Sequence, residues 1–356
     1  MKHQTTRYGE IPFYKIGTFG NTADAFISKK LFLEYKTKYS FPKKGDILIS
    51  ASGTIGRAVI YDGKPAYFQD SNIVWIDNDE TLVKNDFLFY AYSSVKWNTE
   101  HTTILRLYND NFRNTLIPLP PLNEQSAIAN ILSGLDRYLC ALDALILKKE
   151  SVKKALSFEL LSRRKRLKGF NQAWQRIRLG DIAEIVKGQQ INKISLNNTD
   201  KYPVINGGID FLGYTNKFNV SKNTIAISEG GTCGYVRFMT SNFWSGGHNY
   251  SLQKISNKVN NLCLYHILKS YEKDIMKLGV GSGLKNIQLK ALKDFEIPLP
   301  PLNEQSAIAN ILSGLDNEIT SLKNKKRQFE NIKKALNHDL MSAKIRVLEK
   351  SVLQQK

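Results

Sequence analysis

The amino-acid sequence predicts an α+β protein. Two mixed α/β domains are separated by two long antiparallel helices forming a coiled coil, and the halves are related by a pseudo-two-fold internal repeat. Three observations predict this. Residues 117–136 read IPLPPLNEQSAIANILSGLD, and the same twenty letters recur at 297–316, 180 residues later. After each copy, apolar residues recur in alternating steps of three and four, the spacing of a coiled-coil seam. Ahead of each copy lie short β-rich segments broken by glycine turns. Two copies at this period exclude a solenoid, whose repeats run about 20–50 residues.

The first domain is expected over 1–122. Strand-like runs are Asp46–Ser50, Gly56–Tyr61 and Ile73–Ile76, with a short amphipathic helix at Asp86–Trp97. The duplicated cassette then starts a helix. Pro118, Pro120 and Pro121 end what precedes them. Asn123 suits the N-cap, and Glu124 suits the positive end of the helix dipole. The helix is expected over 123–168, with the seam Leu135, Leu139, Leu142, Ile146, Val152, Leu156, Leu160, interrupted by Lys149. Arg163 to Arg166 close it and Gly169 breaks it.

The second domain, 169–302, repeats the pattern. Strands are expected at Lys201–Ile205, Thr224–Ser228 and Tyr235–Phe238, and a helix at Leu262–Lys273. Residues Ser228 to Gly234 (SEGGTCG) echo Ser50 to Gly56 (SASGTIG). The second helix, 303–348, has the seam Leu315, Ile319, Leu322, Phe329, Ile332, Leu336, Leu340, broken at Lys326; a tail follows at 349–356. To bury its seam against the first helix, the second must run back along it. Helices of ~43 residues would be ~65 Å long at 1.5 Å per residue, a spacer with one domain near each end. A lysine within each seam is expected to fix register at some cost in stability.

No apolar run reaches the roughly 18 residues of a membrane span, and the N-terminus lacks a signal-peptide core. Three scattered cysteines, Cys140, Cys233 and Cys263, make neither a disulfide framework nor a zinc site. A reducing cytoplasm is therefore the expected location. The net charge is +19, with +3, +5, +7 and +4 in residues 1–116, 117–170, 171–296 and 297–356. A basic surplus in every segment points to a polyanion, nucleic acid first.

Two diverged domains, each followed by the Pro-Leu-Pro-Pro-Leu-x-Glu-Gln cassette (Pro118 to Gln125, Pro298 to Gln305) and a long helix, resemble the DNA-specificity subunit of type I restriction–modification systems. The run Trp174 to Gly188 (WQRIRLGDIAEIVKG) resembles that family's usual start of a target-recognition domain. The resemblance implies that each domain reads one half of a bipartite double-stranded DNA target. The helices would set the spacing and dock methyltransferase (modification) subunits, and a restriction/translocase subunit would join. S-adenosylmethionine, ATP and Mg would be used by those partners, with no cofactor and no metal in this chain. The first domain departs from the pattern. Tyr202 to Val204 aligns near Ile11 to Phe13, so a counterpart of about twenty residues is expected to be missing ahead of Met1, and the tail from Ser342 does not supply it. The domain is then truncated, rearranged, or closed by another chain.

Catalytic signatures are absent: no Asn/Asp-Pro-Pro-Tyr/Phe, no phosphate loop and no His-Glu-x-x-His. The expectation is a non-catalytic subunit. The alternative is a coiled-coil scaffold joining proteins without reading DNA; divergence confined to the basic domains argues against it. Major-groove reading favours Arg or Lys on guanine and Asn or Gln on adenine. Candidates in or beside glycine-rich loops are Arg57 and Arg106 in the first domain. In the second they are Gln189, Gln190, Tyr235, Arg237, His248, Asn249 and Lys285, with Arg106 and Lys285 taken as an equivalent pair. Candidates for partner docking are Asn123, Glu124, Gln125, Asn303, Glu304 and Gln305. Identical cassettes also suggest recombination that swaps halves.

Overall fold

The computed structural model describes residues 4–68, 72–97 and 106–347. Its contacts divide the chain into two compact units. Unit 1 is Met1–Asp143 with Asn324–Lys356, and unit 2 is Ala144–Lys323. The cuts fall within the long helices, not at the cassettes, so each unit holds one α/β domain and half of each helix. The expected tail, 349–356, lies outside the described residues.

Unit 1 begins with β1 (Ile11–Tyr14), β2 (Ala25–Ile27) and α1 (Lys29–Lys38). Then come β3 (Ile47–Ser50), β4 (Ala58–Ile60), β5 (Tyr67–Phe68), β6 (Ile73–Ile76), α2 (Asn85–Ser94) and α3 (Asn109–Arg113), before α4 (Leu122–Leu161). One sheet has order β2-β1-β5, with β5 parallel to β1; the other is antiparallel, β4-β3-β6. Ile47, Leu48 and Ile49 are almost fully buried because β3 is central and packed on both faces. The helix α1 was not expected. Its sequence, KKLFLEYKTK, fully buries only Phe32, and it is started by the Ser28 hydroxyl accepting from the Leu31 amide at 3.2 Å.

Unit 2 contains β7 (Gln175–Arg178), α5 (Leu179–Ile182), β8 (Glu184–Lys187), β9 (Tyr202–Ile205), β10 (Gly213–Thr215) and β11 (Thr224–Ser228). These are followed by β12 (Val236–Met239), β13 (Trp244–Ser245), β14 (Asn249–Gln253), α6 (Asn261–Ser270), α7 (Glu272–Met276), β15 (Gly279–Val280) and β16 (Asn286–Ile287). The unit's last elements are α8 (Leu289–Lys293), β17 (Glu296–Leu299) and α9 (Leu302–Met341). Its small sheet, β10-β9-β13, repeats that of unit 1. Its larger sheet, β12-β11-β14-β8, repeats β4-β3-β6 with one strand more, and β7 pairs with β17.

Within unit 1 the start of α4 runs antiparallel to the end of α9. Asp136 receives Lys333, Asp143 receives Lys326 at 2.7 Å, and Tyr138 meets Phe329 with ring centroids 4.7 Å apart. Within unit 2 the remaining halves pair in the same sense. Lys153 reaches Asp316, and Lys149 reaches Glu318 at 2.8 Å. Adding 180 to Asp136 gives Asp316, and subtracting 180 from Lys333 gives Lys153, so these ion pairs are repeats of each other. Lys149 and Lys326 do sit on the seam, each ion-paired across it. The expected Val152 and Ile332 do not: they are 40% and 50% exposed. The three–four stepping continues instead through Lys153 and Lys333, whose stems line the seam while their ammonium groups reach aspartates.

Both helices also end sooner than expected, at Leu161 and Met341, where Arg163 and Ala343 turn left-handed with φ of 62° and 55°. The basic run 163–166 is therefore not a helical last turn. Asn123 is not the N-cap either: it lies in the first turn, and the Pro121 carbonyl accepts the Gln125 amide at 2.9 Å.

The cassette's acidic and amide residues are structural. Glu304 is 1% exposed, accepts two hydrogen bonds of 2.8 Å from Arg166, and accepts the Trp174 indole N–H at 3.0 Å. Glu124, 4% exposed, is held by Arg346 in the same way, which keeps its carboxyl below the usual carboxylate range. Each buried glutamate at a helix start thus takes an arginine from just beyond the other helix's end. Gln305 accepts the Asn260 amide at 2.7 Å and donates to the Lys258 and Pro300 carbonyls. Gln125 does the same to Lys84, Leu82 and Pro120. These glutamines bolt the helix start to the loop before α6 or α2.

Removing one partner of a buried ion pair leaves an uncompensated charge, at a cost of about 3–5 kcal/mol. Arg166→Met should therefore lower stability by that order, measured by urea melts, while Glu304→Gln with Arg166→Met restores most of it. His266 of α6 supplies a second test. Burial depresses its pKa to about 4, with Asp316 opposing and Lys153 adding to the shift, and its ring lies 3.0 Å from the Ser313 hydroxyl. The unfolded histidine titrates near 6.5. This contribution to stability is thus complete above pH 6.5 and is lost as pH falls toward 4. By pH 5 the loss should be about 2 kcal/mol, and His266→Gln should remove that part of the pH dependence.

Candidate nucleic-acid interface

In unit 2 five loops are sewn together by backbone hydrogen bonds at one end of the sheets. Gly188 donates to the Asn249 carbonyl and Gln189 to that of Ser245. Gly246 donates to Ile205, Glu229 to His248, Thr232 to Gly207, and Ile287 to Glu229, all at 2.8–2.9 Å. Close approach demands small residues here. A Cβ on Gly188 would stand 2.2 Å from the Gly246 carbonyl oxygen, and one on Gly207 would stand 2.6 Å from the Gly230 carbonyl oxygen.

Glu229 organises the cluster. Its carboxylate accepts Lys187 at 2.6 Å and the Tyr250 hydroxyl at 3.4 Å, and lies 3.9 Å from His248 Nδ1. Burial together with that carboxylate pushes the Tyr250 hydroxyl up to about 12. Asn206 accepts the His248 amide at 3.0 Å. The surface so fixed presents exposed Gln189, Gln190, His248, Lys285 and Asn286: amides that donate and accept, one imidazole and one ammonium.

The structure sorts the expected candidates. Gln189, Gln190 and His248 come together, with Lys285 on the adjoining β15–β16 loop. Asn249 does not belong: it is 2% exposed and lies under the loops, its amide nitrogen and the neighbouring Ser245 hydroxyl unpartnered among the described residues. Arg237 is committed elsewhere. Its guanidinium donates to the Gly208 carbonyl at 3.0 Å and to that of Ile209, and stacks over Phe211 and Tyr235, while Lys269 covers Tyr235 at 4.2 Å. Arg57, the repeat equivalent of Tyr235, donates to the Phe19 carbonyl at 3.0 Å.

Arg106 bridges to Ser52. The Leu107 amide binds the Ala51 carbonyl as that of Ile287 binds Glu229, so Arg106 corresponds to Asn286, one residue from the expected Lys285. Sequence reading missed Lys187, Asn206, Glu229 and Asn286. The Glu-Gly-Gly run at 229–231 was the available signal. Of the docking candidates, Glu124, Gln125, Glu304 and Gln305 are buried and engaged within the chain, so they are unavailable to a partner; Asn123 and Asn303 are exposed.

Unit 1 has the same frame with different chemistry. Ala51 replaces Glu229, Asn72 replaces His248, and the Ser52 hydroxyl donates to Asn72 at 2.8 Å. Among the described residues nothing in unit 1 corresponds to the loop carrying Lys187, Gln189 and Gln190. No described group of three His, Cys, Asp or Glu residues could hold a metal, and no described helix is long and apolar enough to cross a membrane.

A twice-repeated α+β domain with varied polar loops, each copy joined to half of each of two long helices, defines a protein of two like units with unlike polar surfaces. The chain belongs to the family of the type I restriction modification DNA specificity domain, whose profile matches residues 1–150 and 171–331. It is 65% identical over 133 residues to a Haemophilus influenzae protein named as a type I restriction enzyme specificity subunit, a match covering 37% of this chain and 34% of that one. It is 25% identical over 363 residues to the type I restriction enzyme MjaVIII specificity subunit of Methanocaldococcus jannaschii, covering 91% and 84%. The chain spans about a third to two fifths of the length of the Haemophilus relative and of two mycoplasma relatives. Its fold is that of the type I restriction-modification S subunit from M. genitalium, with a TM-score of 0.72 at 22% identity over 96% of this chain and 91% of that one.

Glu229→Ala should strip the acceptor from Lys187, leave the Tyr250 hydroxyl on the Ile287 carbonyl at 3.0 Å, and lower the stability of unit 2 by about 1–3 kcal/mol. Hydrogen exchange at residues 246–249 should accelerate; an unaltered melt and exchange pattern would contradict this account of the cluster.

Proposed function

We propose that the chain is the DNA sequence-reading subunit of a type I restriction–modification enzyme. Each α/β domain reads one half of a bipartite target, and the paired helices set the spacing and dock methyltransferase subunits, with Asn123 and Asn303 among the docking residues. A restriction/translocase subunit completes the assembly. The partners use S-adenosylmethionine, ATP and Mg, the chain itself is non-catalytic, and the complex works in the cytoplasm. One observation supports this reading above the others: a surface of amide, imidazole and ammonium groups is pinned by buried backbone hydrogen bonds, inside a domain matched twice by a DNA-specificity family. Gln189 and Gln190 suit adenine edges, and Lys285 suits phosphate. A protein-joining scaffold gives no reason for a rigid polar loop cluster on basic domains.

The test uses the chain assembled with its methyltransferase partners on duplex pools. Gln189→Ala with Gln190→Ala should relax preference in one half of the target only, by about 1–3 kcal/mol per lost bidentate contact. Lys285→Ala should weaken all duplexes alike and shallow the salt dependence by about one phosphate contact. Unchanged sequence preference in the double variant overturns the assignment of these residues. Methyl transfer by the lone chain overturns its non-catalytic role.

A further inference from the structure

The β15–β16 hairpin is tied at its root to the loops that carry the candidate reading residues. The Ile287 amide donates to the Glu229 carbonyl at 2.9 Å, and the Ile287 carbonyl accepts the Tyr250 hydroxyl at 3.0 Å. Ile287 itself is fully buried. On the other strand, Gly279 lies so close to Cys233 that a Cβ there would stand 2.6 Å from its sulfur. Just ahead, the Leu278 amide donates to the Ile275 carbonyl at 3.0 Å. A Cβ on Gly234 would stand 2.8 Å from the Met276 backbone, where α7 ends. Both strands of the hairpin therefore leave from fixed points.

From that root the ribbon has an inward and an outward face. Directly opposed residues of an antiparallel pair lie on the same face. Gly279 pairs with Ile287 and Val280 with Asn286, so the first pair faces the domain and the second faces away from it. Val280 is 56% exposed, and Asn286 is exposed too. Between the strands the chain turns through Gly281, Ser282, Gly283, Leu284 and Lys285. Gly281 has a φ of 135°, and a Cβ on it would stand 2.4 Å from the Leu284 carbonyl oxygen. The turn thus closes around a glycine and fixes the backbone of Leu284. At this tip Leu284 is 81% exposed, next to exposed Lys285.

An exposed leucine on a rigid tip beside amides, an imidazole and an ammonium group asks for an apolar feature in a polar ligand. The major groove of B-DNA is about 12 Å wide and admits a two-stranded β-ribbon. Paired strands lie about 4.8 Å apart, and glycines at 279, 281 and 283 keep this ribbon slim. The groove displays hydrogen-bonding base edges and one apolar group, the C5-methyl of thymine. The minor groove, about 6 Å wide, is tighter and displays no methyl group. We propose that the β15–β16 ribbon enters the major groove and that Leu284 reads a thymine by packing on its C5-methyl group, leaving Lys285 for the phosphate backbone. This role for Leu284 rests on the DNA-reading function proposed above. It adds a specificity-determining residue whose chemistry is apolar, where Gln189 and Gln190 act by hydrogen bonding.

The test uses the chain assembled with its methyltransferase partners and the duplex that this assembly enriches from a random pool. Every thymine of that duplex is replaced in turn by deoxyuridine, which lacks only the methyl group. At one position the loss of a buried methyl should weaken binding about four-fold. Leu284→Ser should bind the thymine and deoxyuridine duplexes alike at that position. Leu284→Met, of similar volume and apolar reach, should keep the discrimination. Because Leu284 is exposed, neither substitution should shift the melting temperature of the chain. Enrichment of a sequence in which no deoxyuridine weakens binding overturns the proposal and leaves the DNA-reading function standing. So does a deoxyuridine penalty that Leu284→Ser leaves unchanged. An assembly that enriches no sequence overturns both.

Discussion

A buried carboxylate is the constraint on which this molecule turns. Glu124 and Glu304 each sit at a helix start, almost without solvent, and a lone charge there would be costly. Each is neutralised by an arginine that arrives from beyond the end of the oppositely directed helix. The antiparallel pairing, the early helix stops and the left-handed turn before each arginine follow together, because the guanidinium must be delivered to a fixed point. The adjacent glutamine ties the same helix start to its own α/β domain. Domain and helix therefore meet at a joint whose polar groups are satisfied, which favours one arrangement over many.

On that joint the two α/β domains share a frame and differ in their loops. The hydrogen bonds from Glu229 to His248 and from Ala51 to Asn72 are the same bond at the same length, 2.8 Å. Around it, one unit places a glutamate, lysine and histidine, and the other an alanine, serine and asparagine. Backbone-to-backbone bonding lets side chains vary without loosening the loops. That is a sound basis for two surfaces of unlike chemistry on one scaffold.

Much of the architecture was legible because it depends on pattern. The duplicated cassette, the β3, β6 and β11 strands and the helix pairing all announce themselves through proline, glycine and apolar spacing. What failed depends on neighbours distant in sequence. Val152 and Ile332 looked like seam residues because they are apolar, yet the seam passes through Lys153 and Lys333, whose long stems are apolar where it counts. Gln125 and Gln305 looked free to meet a partner because capping does not need them; besides a proline carbonyl five residues back, their partners are a carbonyl and an amide more than forty residues upstream. Asn249 carries a reader's side chain, but its place on β14 points it inward. The helix α1 has too little apolar content to be seen without the Phe13 and Tyr67 surface that covers it.

The aromatic contact between Tyr138 and Phe329 and the ion pair between Lys149 and Glu318 occupy one and the same repeat position in the two units. They differ in chemistry, ring on ring in one unit and charge on charge in the other. If α4 paired with a second α4, tyrosine would face lysine; if α9 paired with a second α9, phenylalanine would face glutamate. Twenty identical letters open both helices, yet further along the two rods carry different side chains at one repeat position, so sameness at the start does not extend to the centre.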